Sequence, residues 1–325
     1  MTKYLNPFLR LSLILMTVAL MMGQIGCKSA TGMLGKDGSV DLQLQLKEGD
    51  SFQSALNTDQ VITQKMGAMD QEITQKFNMG MKFEVTAASE SGYSIKTTYN
   101  SILFESNTPM GTIYYNSEEP EDNVDQTAAA FAAVLNKSFS FNISPQGEIL
   151  TLTGIDDLKE EMRKAYVEMG LTVDENVEKM LDRQYSESAL KNNLSPNFLQ
   201  FAGKRLKRGE TWTQSATVDQ GVPMKLDYTY TFQEAKDGLA YIKKASRVSP
   251  GVGEPMVMNN MEITYDVKGT EEGILKVDLK TGLVVDGDQE QKVGGQMGLK
   301  MDPSAQPMQI PMTIDTKSTT QLVRL

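Results

Sequence analysis

The chain has no histidine and a single cysteine, Cys27, among its 325 residues. That excludes zinc sites of the Cys/His kind, and it excludes Ser-His-Asp and Cys-His catalysis, which need an imidazole base. A lone thiol forms no disulfide within the chain, so the fold must hold through packing and hydrogen bonds. Phosphate-binding Gly-x-x-x-x-Gly-Lys-Ser/Thr loops and dinucleotide-binding glycine patterns are also missing. Positive charge is in deficit, with 32 Lys and Arg against 42 Asp and Glu. A net charge of −10 disfavours nucleic acid and anionic membrane surfaces as partners, because both require basic patches.

Carboxylates do cluster, at Glu118-Glu119-Pro120-Glu121-Asp122 and at Asp156-Asp157. The first run reads as a Pro-containing loop. The second reads as a helix start, where acids meet the positive end of the dipole. Neither offers the convergence from separate strands that a glycosidase pair needs. No catalytic residue, cofactor or metal site is nominated, and the chain reads as a non-enzyme.

The N-terminus carries Lys3 and Arg10, then an apolar stretch from Leu11 to Met22, then Gly23-Gln24-Ile25-Gly26-Cys27. The apolar run suits a secretory signal and is short for a bilayer span, which takes about 20 residues. Gly26-Cys27 resembles the lipobox of bacterial lipoproteins, although Gln24 stands where leucine is usual. That resemblance implies lipidation of Cys27, removal of residues 1–26, and a membrane anchor of several acyl chains. The remaining residues then carry 30 basic against 42 acidic groups, a net of −12. Residues 27–40 read as a flexible tether. Lys28-Ser29-Ala30-Thr31 has no acid, which favours the periplasmic side of the outer membrane.

Beyond the tether, most of the sequence alternates with period two. Val40, Leu42, Leu44 and Leu46 share one parity; so do Met81, Phe83 and Val85, then Tyr228, Tyr230 and Phe232, then Ile310, Met312 and Ile314. The pattern predicts antiparallel strands with one covered face. In the middle, Ile155, Leu158, Met162, Tyr166 and Met169 recur at helical spacing up to Gly170. A second helix is expected from about Asp174 to Tyr185, a third around Phe198, Leu199 and Phe201 entered at Ser195-Pro196, and a short one over residues 127–135.

An internal repeat is visible. Leu46-Lys47-Glu48-Gly49-Asp50-Ser51-Phe52 matches Leu206-Lys207-Arg208-Gly209-Glu210-Thr211-Trp212. Gly92-Tyr93-Ser94-Ile95-Lys96 recurs as Gly238-Leu239-Ala240-Tyr241-Ile242-Lys243, and Ser144 to Leu150 as Leu279 to Val285. Three matches in one order predict two β-lobes, 41–154 and 203–325, around a helical insert at 155–202. The fold class expected is mainly β, a curved, half-barrel-like antiparallel sheet or sheets with that insert. These motifs together resemble a family of lipoproteins common in the Bacteroidota and known only as a domain of unknown function. More distantly, an acidic, Met-rich, curved sheet with a helical cover behind a lipid anchor is similar, at the level of fold alone, to half-barrel lipoprotein carriers that shuttle acyl chains across the periplasm. The resemblance brings no functional residues with it.

The function expected is non-catalytic binding of an amphiphilic or hydrophobic ligand, the alternative being structural or assembly work through contacts with an envelope protein. Methionine suggests the ligand residues, being flexible and over-used on adaptable surfaces. Met66, Met79, Met81, Met256, Met258 and Met297 are the candidates, together with Trp212 at the start of a repeated strand. Core packing is the competing role for all of them. Copper(I) binding by thioethers alone, for instance at Met66-x-x-Met69, ranks below both because no histidine is available.

Overall fold

The computed structural model describes residues 33–67, 69–109, 111–119, 131–218, 222–251, 256–258, 261–300 and 306–325. Cys27 and segment 1–26 lie outside them. The period-two segments become strands. The first lobe gives β1 (Ser51–Met66), β2 (Met69–Ser89), β3 (Gly92–Thr108), β4 (Gly111–Asn116), β5 (Ser138–Ile143) and β6 (Ile149–Thr153). Three helices come next: α1 (Ile155–Glu168), α2 (Glu175–Gln184) and α3 (Glu187–Leu194). The second lobe gives β7 (Thr211–Val218), β8 (Met224–Lys236), β9 (Leu239–Pro250), β10 (Met256–Met258), β11 (Met261–Asp278), β12 (Val284–Lys300) and β13 (Met308–Arg324).

All thirteen strands join one antiparallel sheet in the order β6-β5-β3-β2-β1-β13-β12-β11-β9-β8-β7, with β4 beside β3 and β10 beside β11. The lobes therefore share one continuous sheet, and β13 lies between β1 and β12. The matched sequence motifs fall at corresponding places. Lys47 N–H donates to Asp50 Oδ2 before β1 and Lys207 N–H to Glu210 Oε2 before β7. Gly49 and Gly209, both at positive φ, donate to the next strand at Val85 and Phe232.

The sheet curves strongly. Its edge strands are ten spacings apart, roughly 48 Å if flat, yet Ile149 of β6 and Gln214 of β7 line the same cavity. Glycines stand where the backbones of β11 and β12 approach closely. A Cβ on Gly269 would stand 2.0 Å from Lys292 O, and one on Gly273 2.2 Å from Asp288 O, so no side chain fits at either.

The helices cover the concave face. Leu158, Met162, Tyr166, Leu181, Leu190 and Leu194 point into a core with Phe83, Phe141, Phe232 and Ile242. Phe198 meets Phe83 and Phe141 edge-on, with centroids 5.1 and 5.2 Å away. Asn197 is fully buried and ties the insert to two distant strands: its Oδ1 accepts from Ser54 at 2.7 Å, and its carbonyl accepts from Val284 N–H.

Several expectations are corrected. Val40, Leu42, Leu44 and Leu46 are buried, but residues 41–47 form no strand. The segment is extended, and its backbone bonds to turns: Leu44 N–H to Pro145 O and Gln45 N–H to Thr281 O. Those are the corresponding turns of the two lobes. The third helix lies earlier than expected. Ser186 caps α3, accepting from Ala189 N–H, and Ser195-Pro196 is its exit. Phe198, Leu199 and Phe201 are buried in irregular chain beyond it. Of the short helix at 127–135, residues 131–134 are helical and 127–130 lie outside the described residues. The tether is shorter than 27–40. Met33 and Val40 are buried, and Val40 exchanges two backbone bonds with Leu206, because the chain from 33 onward packs on the sheet.

Candidate functional site

The register of the sheet arranges the concave face in cross-strand rows. One row runs Phe232, Ile242, Leu275, Gly287, Thr320, Leu56, Met79 and Ile102, and is nearly all apolar. Further along the strands, another runs Leu226, Val248, Gly269, Val293, Ile314, Ile62 and Ile73. Between them lie two polar rows. The first is Tyr230, Lys244, Gly273, Gln289, Ser318 and Thr58; the second is Gln214, Tyr228, Ser246, Glu271, Gln291, Thr316, Gln60, Gln75 and Ser106. A polar belt thus crosses an otherwise apolar face. It separates the core under the helices from a second apolar cluster around Leu226, Val248, Val267, Val293, Met312 and Ile314.

A cavity of about 600 Å³ sits on this belt, within the range of small-molecule sites. Its floor is Tyr228, Tyr230, Lys244, Glu271, Gln289 and Gln291, with Thr58 and Ser318 alongside. Leu56 and Leu275 give it one apolar wall, Leu226, Met224 and Val218 another. Its roof is the end of α3 and the chain after it: Lys191, Asn192, Pro196, Phe198 and Leu199. Asn192 Nδ2 donates to Thr217 O at 3.0 Å, pinning the roof to the β7 edge.

The floor is built around an ion pair. Lys244 and Glu271 are only 12% and 8% exposed, and Lys244 Nζ binds the Glu271 carboxylate. The same ammonium donates to Gln289 Oε1 and lies over the Tyr228 ring, 4.7 Å from its centroid. Gly273 stands between Lys244 and Gln289 in the row, and its missing side chain opens that reach. Burial pushes the phenols of Tyr228 and Tyr230 well above the usual tyrosine range, and the Glu271 charge adds to the shift. Both remain neutral hydroxyls at ordinary pH. Behind Tyr230, Trp212 stacks at 5.1 Å and donates its indole N–H to Gln200 O at 3.0 Å.

The candidates chosen from sequence are scattered. Met79 and Met81 are buried in the main core, and Met297 packs against the second cluster. Met66 ends β1, and Met256 and Met258 bound β10. None of these six lines the cavity among the described residues; its methionine is Met224. Trp212 stands one ring behind the lining. Cys27 lies outside the described residues. Sequence reasoning missed Lys244 and Glu271. The signal was a break in parity: each sits on the apolar side of its strand, in Ala240-x-Ile242-x-Lys244-x-Ser246-x-Val248 and Val267-x-Gly269-x-Glu271-x-Gly273-x-Leu275.

Among the described residues no group of three or more His, Cys, Asp or Glu side chains could hold a metal ion, and no helix is long and apolar enough to cross a membrane. Among solved structures, a lipovitellin chain, determined to examine its lipid–protein interactions, superposes with a TM-score of 0.48 at 10% identity over 86% of this chain. The chain spans 25% of the lipovitellin chain. An outer membrane channel from Pseudomonas putida F1 superposes with a TM-score of 0.28 at 5% identity, covering 86% of this chain and 97% of the channel. Comparison with curated proteins returns no match. The model of a family of unknown function, DUF6263, matches residues 90–284, three fifths of the sequence and both members of the Lys244–Glu271 pair. The chain belongs to that family.

Proposed function

We propose that this protein binds an amphiphilic or hydrophobic ligand non-catalytically, in the cavity between α3 and the concave face. The observation that carries the reading is the cavity's construction: apolar walls on two sides of a polar floor, under a helical roof tied to the β7 edge through Asn192. Such a site buries a ligand's apolar body while matching a polar group. The non-catalytic reading is supported by how the floor's charges are engaged. Lys244 is held by Glu271 and Gln289, and no imidazole or second thiol exists in the chain. In this reading acyl chains on Cys27 hold the protein on the periplasmic face of the outer membrane, and the lipobox-like Gly26-Cys27 is what supports it.

The test is mass spectrometry of small molecules extracted from the Cys27→Ala chain purified from its own cell envelope. That variant takes no acyl chains at residue 27, so lipid that filling the cavity displaces belongs to the domain. The expected result is one amphiphile class at near-equimolar amount, lost when Ala216→Phe fills the cavity from β7. An empty protein that co-purifies with a stoichiometric protein partner would replace this reading with the assembly role.

A further inference from the structure

We propose that the head group read by the polar floor is uncharged and hydroxyl-bearing, such as a glycerol or sugar, rather than an anionic or cationic one. This rests on the ligand reading of the same cavity and narrows it to a chemical class. The ammonium of Lys244 has three donors, and the structure gives it three partners: the Glu271 carboxylate, the Gln289 amide oxygen and the face of Tyr228. Its charge is cancelled on the spot. An entering anion would meet Glu271 at the very place where Lys244 could receive it. An entering cation would have to compete with Lys244 for that carboxylate. The other two charges around the cavity are of opposite sign and lie toward solvent: Lys191, paired with Glu187 at 2.7 Å, and Glu148, which is exposed.

What remains for recognition is neutral hydrogen-bonding surface. Gln289 and Gln291 supply amides, Thr58 and Ser318 a hydroxyl pair at 3.1 Å, and Tyr228 and Tyr230 phenols that stay protonated. Ser246, between Tyr228 and Glu271 in the row, is 7% exposed and lies outside the lining, so it takes no part in this surface. Amide and hydroxyl side chains around a stacked aromatic pair suit polyhydroxyl heads. They supply both donors and acceptors without net charge.

The experiment measures affinities of the Cys27→Ala chain for four probes with the same ten-carbon chain: monodecanoylglycerol, decyl glucoside, decanoate and decyltrimethylammonium. The two neutral probes are expected to bind at least about tenfold tighter than either charged one at neutral pH. Their ranking against each other separates a glycerol from a sugar head. In Glu271→Gln the Lys244 charge loses its counter-ion, and the affinity for decanoate relative to the neutral probes is expected to rise about tenfold. The double variant Lys244→Met/Glu271→Leu, which keeps the floor neutral, is expected to retain the preference for neutral heads and serves if Glu271→Gln folds poorly. Decanoate binding as tightly as the neutral probes to the unsubstituted floor would overturn the head-group assignment alone. Saturable binding of none of the four would overturn the cavity reading itself.

Discussion

Lys244 and Glu271 show how single residues are set against their surroundings in this protein. Each occupies a position that its strand's alternation reserves for an apolar side chain, and each is almost wholly removed from water. A buried pair of this kind contributes little net stability, because desolvation offsets the attraction. Removing one partner costs far more, since the other charge is then left uncompensated. Lys244→Met is therefore expected to destabilise the fold by about 3–5 kcal/mol, whereas Lys244→Met/Glu271→Leu recovers most of that loss. Denaturant midpoints of the two variants check this. Equal destabilisation in both would mean the pair is not electrostatically isolated. At this scale the sequence was only partly readable. The parity break is visible in the letters, but Gly273, which lets Lys244 reach Gln289, acquires meaning only once β11 is placed between β9 and β12. The methionines misled for a related reason. Flexibility suits both cores and binding surfaces, and Met79 and Met81 went to the core.

At the scale of elements, period-two alternation located the long strands and helical spacing located α1 and α2, which Arg163–Glu178 and Lys159–Asp182 contacts hold together. Two elements were misread, one of them because its backbone partners lie far away in sequence. The segment 41–47 alternates like a strand because it is extended with one side buried, yet its hydrogen bonds run to turns at Pro145 and Thr281. No local pattern reveals that. The third helix was set too late because Ser195-Pro196 reads as a start, while the real start is the cap at Ser186, with Glu187 and Lys191 paired one turn apart. Since α3 roofs the cavity, its cap has a measurable weight. Ser186→Ala is expected to cost about 1 kcal/mol in global stability. Hydrogen exchange at Ala189 and Leu190 should accelerate. Unchanged protection there would show that packing alone holds α3 in place.

At the scale of the whole molecule, the two lobes interlock. The chain leading into β1 bonds to the second lobe's turn at Thr281; the chain leading into β7 bonds to the first lobe's turn at Gln146, through Phe201 N–H. Val40 and Leu206 then join these two leading segments to each other. The interlock ties the two lobes of the open, curved sheet to each other, and residues of both its edges line the cavity. One native reporter stands beside it. Trp212 is the only tryptophan in the chain, and it stacks on Tyr230, whose ring lines the floor. The most direct test of the central claim is quenching of Trp212 fluorescence by a neutral amphiphile carrying a brominated chain, with Ala216→Phe as the filled-cavity control. Ligand binding in the cavity predicts quenching that saturates at one equivalent and disappears in the control. Quenching that rises without saturation, and equally in both proteins, would contradict it.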